Sequence, residues 1–187
     1  MSLLMRILPW VITLAWPFLV WLALSHPQLH WLLPLLALLF LLRWQGIRGS
    51  SGAFARAGQL LALAGAALCL ASFLLRAHQL LLWYPVAVSL VMLLLFGGSL
   101  FSTMPLVERL ARLREPQLPP EGVRWTRRVT QIWCLFFIFN GSVATVTCLV
   151  GNLHWWTLWN GIISYLLMGS VMATEWLLRQ RMKRRLR

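Results

Sequence analysis

Residues 129–150 read VTQIWCLFFIFNGSVATVTCLV and residues 155–178 read WWTLWNGIISYLLMGSVMATEWLL, with GNLH between them. The first run holds no charged residue, and the second holds Glu175 alone. A helix rising about 1.5 Å per residue needs roughly 20 apolar residues to cross a hydrocarbon core about 30 Å thick. Both runs meet that length, and Gly151-Asn152 supplies a turn that makes them antiparallel neighbours. Outward from this hairpin lie four more apolar runs, residues 7–25, 29–42, 57–75 and 80–101. The expected fold is therefore an all-α membrane protein of about six transmembrane helices, one polytopic domain over residues 1–187. Composition agrees, because 60% hydrophobic and 11% charged residues are too apolar for a water-facing surface.

The weaker boundaries have physical signatures of their own. Residues 7–25 contain Trp10, Trp16, Pro17 and Trp21 and are long enough to span, so they are read as a helix rather than a cleaved signal. Residues 29–42 are short and need their flanks or local bilayer thinning. A Gly/Ser-rich polar connection follows from Arg43 to Arg56. In the next run Gly58, Ala62 and Ala66 recur every four residues, a smooth stripe for close helix packing.

The cytoplasmic loop, residues 103–128, is the least apolar stretch. Leu106, Leu110 and Leu113 fall at i, i+4 and i+7 beside Arg109, Arg112 and Arg114, which predicts a short interfacial amphipathic helix between spans four and five. Glu108 and Arg112 are spaced to pair on its polar side. Pro116, Pro119 and Pro120 end it, and Pro120-Glu121 suits the first turn of the next helix.

A formal net charge of +13 would suggest nucleic acid in a soluble protein, but the basic residues are grouped between apolar runs. Of the 17 Lys and Arg residues, one precedes the first run, three follow the second, six follow the fourth and six occupy the tail, residues 179–187. Arg76 alone falls on the other side. This positive-inside pattern predicts both termini in the cytoplasm and membrane lipids as partners, with no nucleic acid. Trp31, Trp83, Trp155 and Trp156 mark the far interface and Trp44, Trp125 and Trp176 the near one.

Chemistry-bearing residues are few. The chain has no Asp, and Glu108, Glu115, Glu121 and Glu175 all fall near the cytoplasmic face, so no paired-carboxylate, phosphate-loop or nucleophile-elbow pattern forms. Cys69, Cys134 and Cys148 lie inside apolar runs without metal or disulfide spacing, and no cofactor or metal is expected. Asn140-Gly141 and Asn160-Gly161 stand out, since an amide in hydrocarbon needs a partner. They are expected at depths within roughly 5 to 8 Å of each other, either bonded directly or lining a polar substrate site that Glu175 extends. Glu175 is also spaced to pair with Arg179 and snorkel to the surface, with a proton relay as the alternative. His26, His30, His78 and His154 fall in the three predicted periplasmic loops, as interfacial residues or a converging cluster.

The run from Met104 to Leu110, then Leu118-Pro119-Pro120, Trp125 to Arg128 and Cys134 to Gly141, resembles the acyltransferase-associated membrane proteins of bacterial aryl polyene pigment loci. The likeness continues through Trp159-Asn160-Gly161, Tyr165 to Gly169 and Glu175-Trp176; the N-terminal half matches mainly in hydropathy. More remotely, the Pro105-Leu106-x-x-Arg109 order, the Leu-Pro turn, Trp125 and Phe-Phe-Ile before Gly141 are similar to the intracellular septation protein A family, from which Asn140 departs. These resemblances imply a multi-pass protein of the bacterial inner membrane and supply no catalytic residues. They imply an accessory or scaffolding role in aryl polyene or related envelope-lipid synthesis, with acyltransferases or acyl carrier proteins of that pathway as partners. Arg109, Arg112, Arg114, Arg124, Arg127 and Arg128 would then form the cytoplasmic surface for lipid or acidic partner. Two rivals stand beside this reading: a lipid or polyene transporter lined by the Asn-Gly pairs, and an acyl- or glycosyl-transfer enzyme using the histidines.

Overall fold

The computed structural model describes residues 17–23, 25–26, 32–49, 52–113 and 115–185. Most of the first predicted span, residues 7–25, lies outside them, as do His30, Arg114 and the side chain of His78. Among the described residues every regular element is helical and none is a strand. A helical segment over residues 17–23 (α1) precedes α2 (Leu32–Ile47) and α3 (Ala53–Leu75). A 3-10 turn, His78–Trp83, leads into α4 (Tyr84–Leu100). Then come α5 (Leu106–Arg112), α6 (Pro120–Val150), α7 (Leu153–Leu158), a π-helical turn at Trp159–Ile163, and α8 (Ser164–Arg185).

Four stretches are long and apolar enough to cross a membrane: Ala53–Leu75, Gln79–Leu100, Pro120–Val150 and Leu153–Arg181. Leu33–Ile47 is apolar but shorter. Apolar side chains also face outward, with Leu74, Leu94, Leu135, Leu149 and Leu166 all exposed. In water such a surface would drive association, whereas lipid tails solvate it.

One boundary differs from the sequence expectation. α2 continues to Ile47, past residue 42, so Arg43, Trp44 and Gln45 are helical and the polar connection is shorter. Its end is satisfied from the neighbour: Gln59 Nε2 donates to Ile47 O at 2.9 Å, while Arg48 lies over the Trp44 ring at 4.9 Å. α6 begins at Pro120, so it projects beyond the apolar run 129–150 and carries Arg124, Arg127 and Arg128 on a continuous helix. Pro120 at its first turn is as expected.

Packing follows the small residues. α2 lies against α3 with Phe40 on Gly65, where an added Cβ would sit 2.7–2.8 Å from the ring carbons. Ala62 and Ala66 are buried in the same face, and Ile47 closes over Gly58. The predicted stripe thus serves helix packing. Val20, Leu33, Phe40, Cys69, Tyr84 and Trp156 belong to this core. A second core joins Phe96, Leu106, Cys134, Phe136 and Phe137 across α4, α5 and α6, with the Phe96 and Phe137 rings edge-on at 5.4 Å.

Gly151 turns the hairpin in the left-handed region at φ 70°. Asn152 caps α7 by accepting from the His154 and Trp155 amides at 3.0 and 3.2 Å.

Candidate functional site

Asn140 sits mid-α6 and is 9% exposed, so both ends of its amide need partners inside the helix bundle. Its Nδ2 donates to Ser89 Oγ of α4 at 3.2 Å, and its Oδ1 accepts from Ser164 Oγ at the start of α8. The next residue explains the proximity. A Cβ on Gly141 would stand 3.0 Å from the Ser89 Cβ, so glycine is what allows α4 this close. One amide therefore ties three helices.

Asn160 does not pair with Asn140, contrary to the expectation of a direct bond. Its Nδ2 donates to Trp156 O at 2.9 Å and reaches Thr147 Oγ1 at 3.5 Å. Thr147 lies two turns along α6 from Asn140, roughly 10 Å. The antiparallel register places Ser164, one turn beyond Asn160, level with Asn140. Gly161 packs instead on α1, where an added Cβ would meet the Phe18 ring at 3.2 Å.

Asn160 belongs to the π-helical turn, a local widening of the helix often found where a side chain is re-aimed. Among the described residues Asn160 Oδ1, Thr157 Oγ1 and Trp159 Nε1 are buried without a hydrogen-bond partner. Three such atoms within one turn make this the most under-satisfied part of the described helices.

Glu175 lies on α8 fifteen residues from Asn160, roughly 22 Å along the helix, so the structure does not join it to either asparagine. It lines a mostly apolar groove between α6 and α8 with Trp125, Ile132, Ser170 and Thr174. The expected Glu175–Arg179 pair does not form. Arg179 turns to Glu115 in the α5–α6 connection at 3.9 Å, a partner only the folded chain brings near.

The basic residues divide by duty. Arg112 grips Glu108 at 2.8 Å, as its spacing predicts, and also donates to Pro116 O at 3.1 Å. Glu108 is not on an open polar side, however: it is 4% exposed, and Leu106, Glu108 and Ala111 form the buried face of α5. Leu110 and Leu113 point outward, at 43% and 80% exposure. Arg109 donates to Met104 O at 2.8 Å and to Ser102 Oγ at 3.2 Å. Arg127 reaches Leu100 O at the end of α4 at 3.3 Å, closing a carbonyl that the helix leaves open. Arg124 and Arg128 are exposed on one face of α6 beside Glu121 and Trp125.

His26 and His154 are exposed, and no group of three or more His, Cys, Asp or Glu among the described residues is placed to hold a metal. Ser89, Thr147 and Ser164 were missed as partners from sequence. Their only signal is a hydroxyl in an apolar run, which a helix also satisfies with its own carbonyls. No family model, characterised protein or solved structure matches the chain.

Proposed function

We propose that the chain is an accessory protein of the bacterial inner membrane that holds an acidic cytosolic enzyme or carrier protein at the bilayer. Under this reading six helices cross, both termini are cytoplasmic, and the protein supports aryl polyene or related envelope-lipid synthesis. The carrying observation is the cationic platform built from α5 and the projecting turns of α6. Arg109, Arg112 and Arg127 are fixed by backbone or carboxylate contacts, while Arg124 and Arg128 remain exposed on a continuous helix. An ordered set of guanidiniums at a membrane surface favours acidic partners electrostatically. The pathway rests on the resemblance of residues 104–176 to the acyltransferase-associated proteins.

Co-purification from gently solubilised membranes is the test. A partner acyltransferase or acyl carrier protein should be retained by the wild type and lost with Arg124→Gln plus Arg128→Gln or at raised salt. Retention indifferent to both would reject the reading.

A second reading, transport of a lipid or polyene, is favoured by the unpartnered polar atoms at the π-helical turn. Movement of a polyene lipid across vesicles by the purified chain alone would decide for it, and an inert vesicle against it.

A further inference from the structure

Where the first turns of α3 meet the last turns of α4 and the start of α5, the surface opens into a groove of about 420 Å³. Its long wall is apolar, made by Leu60 of α3 and Val91, Leu94 and Leu95 of α4. Leu60 and Leu94 are exposed, so the wall opens onto the surface that lipid tails cover. The end of the groove is cationic: Arg56 of α3 and Arg109 of α5 line it together with Ser99 and Ser102.

Two like charges in one groove repel unless an anion joins them. No described acidic residue lines the groove, and Glu108, beside Arg109 on α5, is buried and held by Arg112. The Arg56 guanidinium makes no hydrogen bond or ion pair with a described residue. Arg109 is already positioned by Met104 O and Ser102 Oγ. A guanidinium has five N–H donors, so these two bonds leave three for an incoming acceptor. Arg56 immediately precedes the apolar run that starts at residue 57, which sets it at headgroup depth.

We propose that this groove binds one anionic phospholipid, its phosphate held by Arg56 and Arg109 and its upper acyl chain laid along Leu60 and Leu94. A soluble anion would satisfy the arginines and make no use of the leucine wall. An acidic protein segment would meet the arginines from the aqueous side and leave the wall to other lipids. The basic tail of the chain itself has the wrong sign. The groove volume falls within the roughly 300–1,000 Å³ usual for small-molecule sites, room for a headgroup and the first stretch of chain. The inference needs the membrane placement of the helices and shares only Arg109 with the proposed docking platform, whose exposed Arg124 and Arg128 it does not use.

The test is native mass spectrometry of the full chain in detergent micelles doped with dioleoyl phosphatidylglycerol or dioleoyl phosphatidylcholine. The wild type should retain one phosphatidylglycerol in preference to phosphatidylcholine. Arg56→Gln and Arg109→Gln should each weaken that retention on the order of fivefold. Leu94→Trp, which fills the apolar wall, should lower it as well. Arg124→Gln with Arg128→Gln should leave it unchanged, and millimolar inorganic phosphate should not displace the lipid. Equal retention of both lipids, indifference to Arg56→Gln, displacement by phosphate, or equal loss in the Arg124/Arg128 variant would each overturn the proposal. The Arg56 side chain holds no hydrogen bond or ion pair with a described residue, and its backbone bond to Gly52 O survives substitution, so its variant should fold, which circular dichroism checks.

Discussion

At the scale of single residues, Asn140 is a joint: one amide donates to α4 and accepts from α8 while its own backbone lies in α6. Replacing it with Ala would not strand its partners. Hydroxyls in this bundle already bond the carbonyl one turn back, as Thr130 does to Thr126 O and Ser170 to Leu166 O. The expected loss for Asn140→Ala is therefore about 0.6–1.7 kcal/mol in a detergent unfolding titration, the range for interhelical bonds in membranes. A double-mutant cycle of Asn140→Ala with Ser89→Ala should show coupling of the same order, whereas Asn140→Ala with Asn160→Ala should be additive within about 0.5 kcal/mol. Strong coupling between the two asparagines would contradict the separate partners seen here. That each amide needed a partner was legible in the sequence, because hydrocarbon offers none. Which partner it takes was not, since that depends on the Gly141–Ser89 approach and on the π-helical turn, and neither leaves a periodic mark.

Between elements, the α2–α3 contact depends on an aromatic ring resting on a glycine. Phe40 is almost wholly buried, and its ring leaves no space for a side chain at residue 65. Gly65→Ala should cost about 1–3 kcal/mol through overpacking. Phe40→Leu should recover part of that loss in the double variant. Gly169→Ala on α8, where nothing lies within 4 Å of an added Cβ, serves as the control and should change stability little. A neutral Gly65→Ala would mean that the two helices are not held in this register. The stripe of Gly58, Ala62 and Ala66 made a close-packed face of α3 readable from sequence, though Gly65, where Phe40 rests, lay outside it; the helix type of every long element was readable from apolar length. The extension of α2 through Arg43 and Trp44 was hidden, because a snorkelling arginine and an interfacial tryptophan look the same whether the helix stops or continues past them. The burial of Glu108 was hidden for a related reason: on a helix as short as α5, the direction of the protein-facing side is set by the fold around it.

For the whole molecule, the question that length alone leaves open is whether α2 crosses the bilayer. Its 16 residues span about 24 Å, less than a hydrocarbon core of about 30 Å. Its register against α3 gives the expectation to be tested, that it crosses wherever α3 does. Gln59 near the start of α3 bonds the last carbonyl of α2, and Gly65, six residues on, meets Phe40, seven residues back. Extended in this antiparallel register, residue 32 falls level with about residue 74, because both helices rise about 1.5 Å per residue. α2 then shares nearly the whole apolar layer of α3, and if α3 spans, α2 spans with it under slight local thinning. Reporter fusions check this. Those after Gly49, after Gln117 and at the C-terminus should read cytoplasmic, and those at His26, His78 and Asn152 periplasmic. The decisive pair is His26 and Gly49. Opposite sides would make residues 32–47 a crossing and support the proposed even number of spans with cytoplasmic termini, the topology that the grouping of the 17 Lys and Arg residues predicts from sequence. The same side for both would make α2 re-entrant, leave the Phe40–Gly65 contact dipping into the bilayer rather than traversing it, and overturn the six-helix topology.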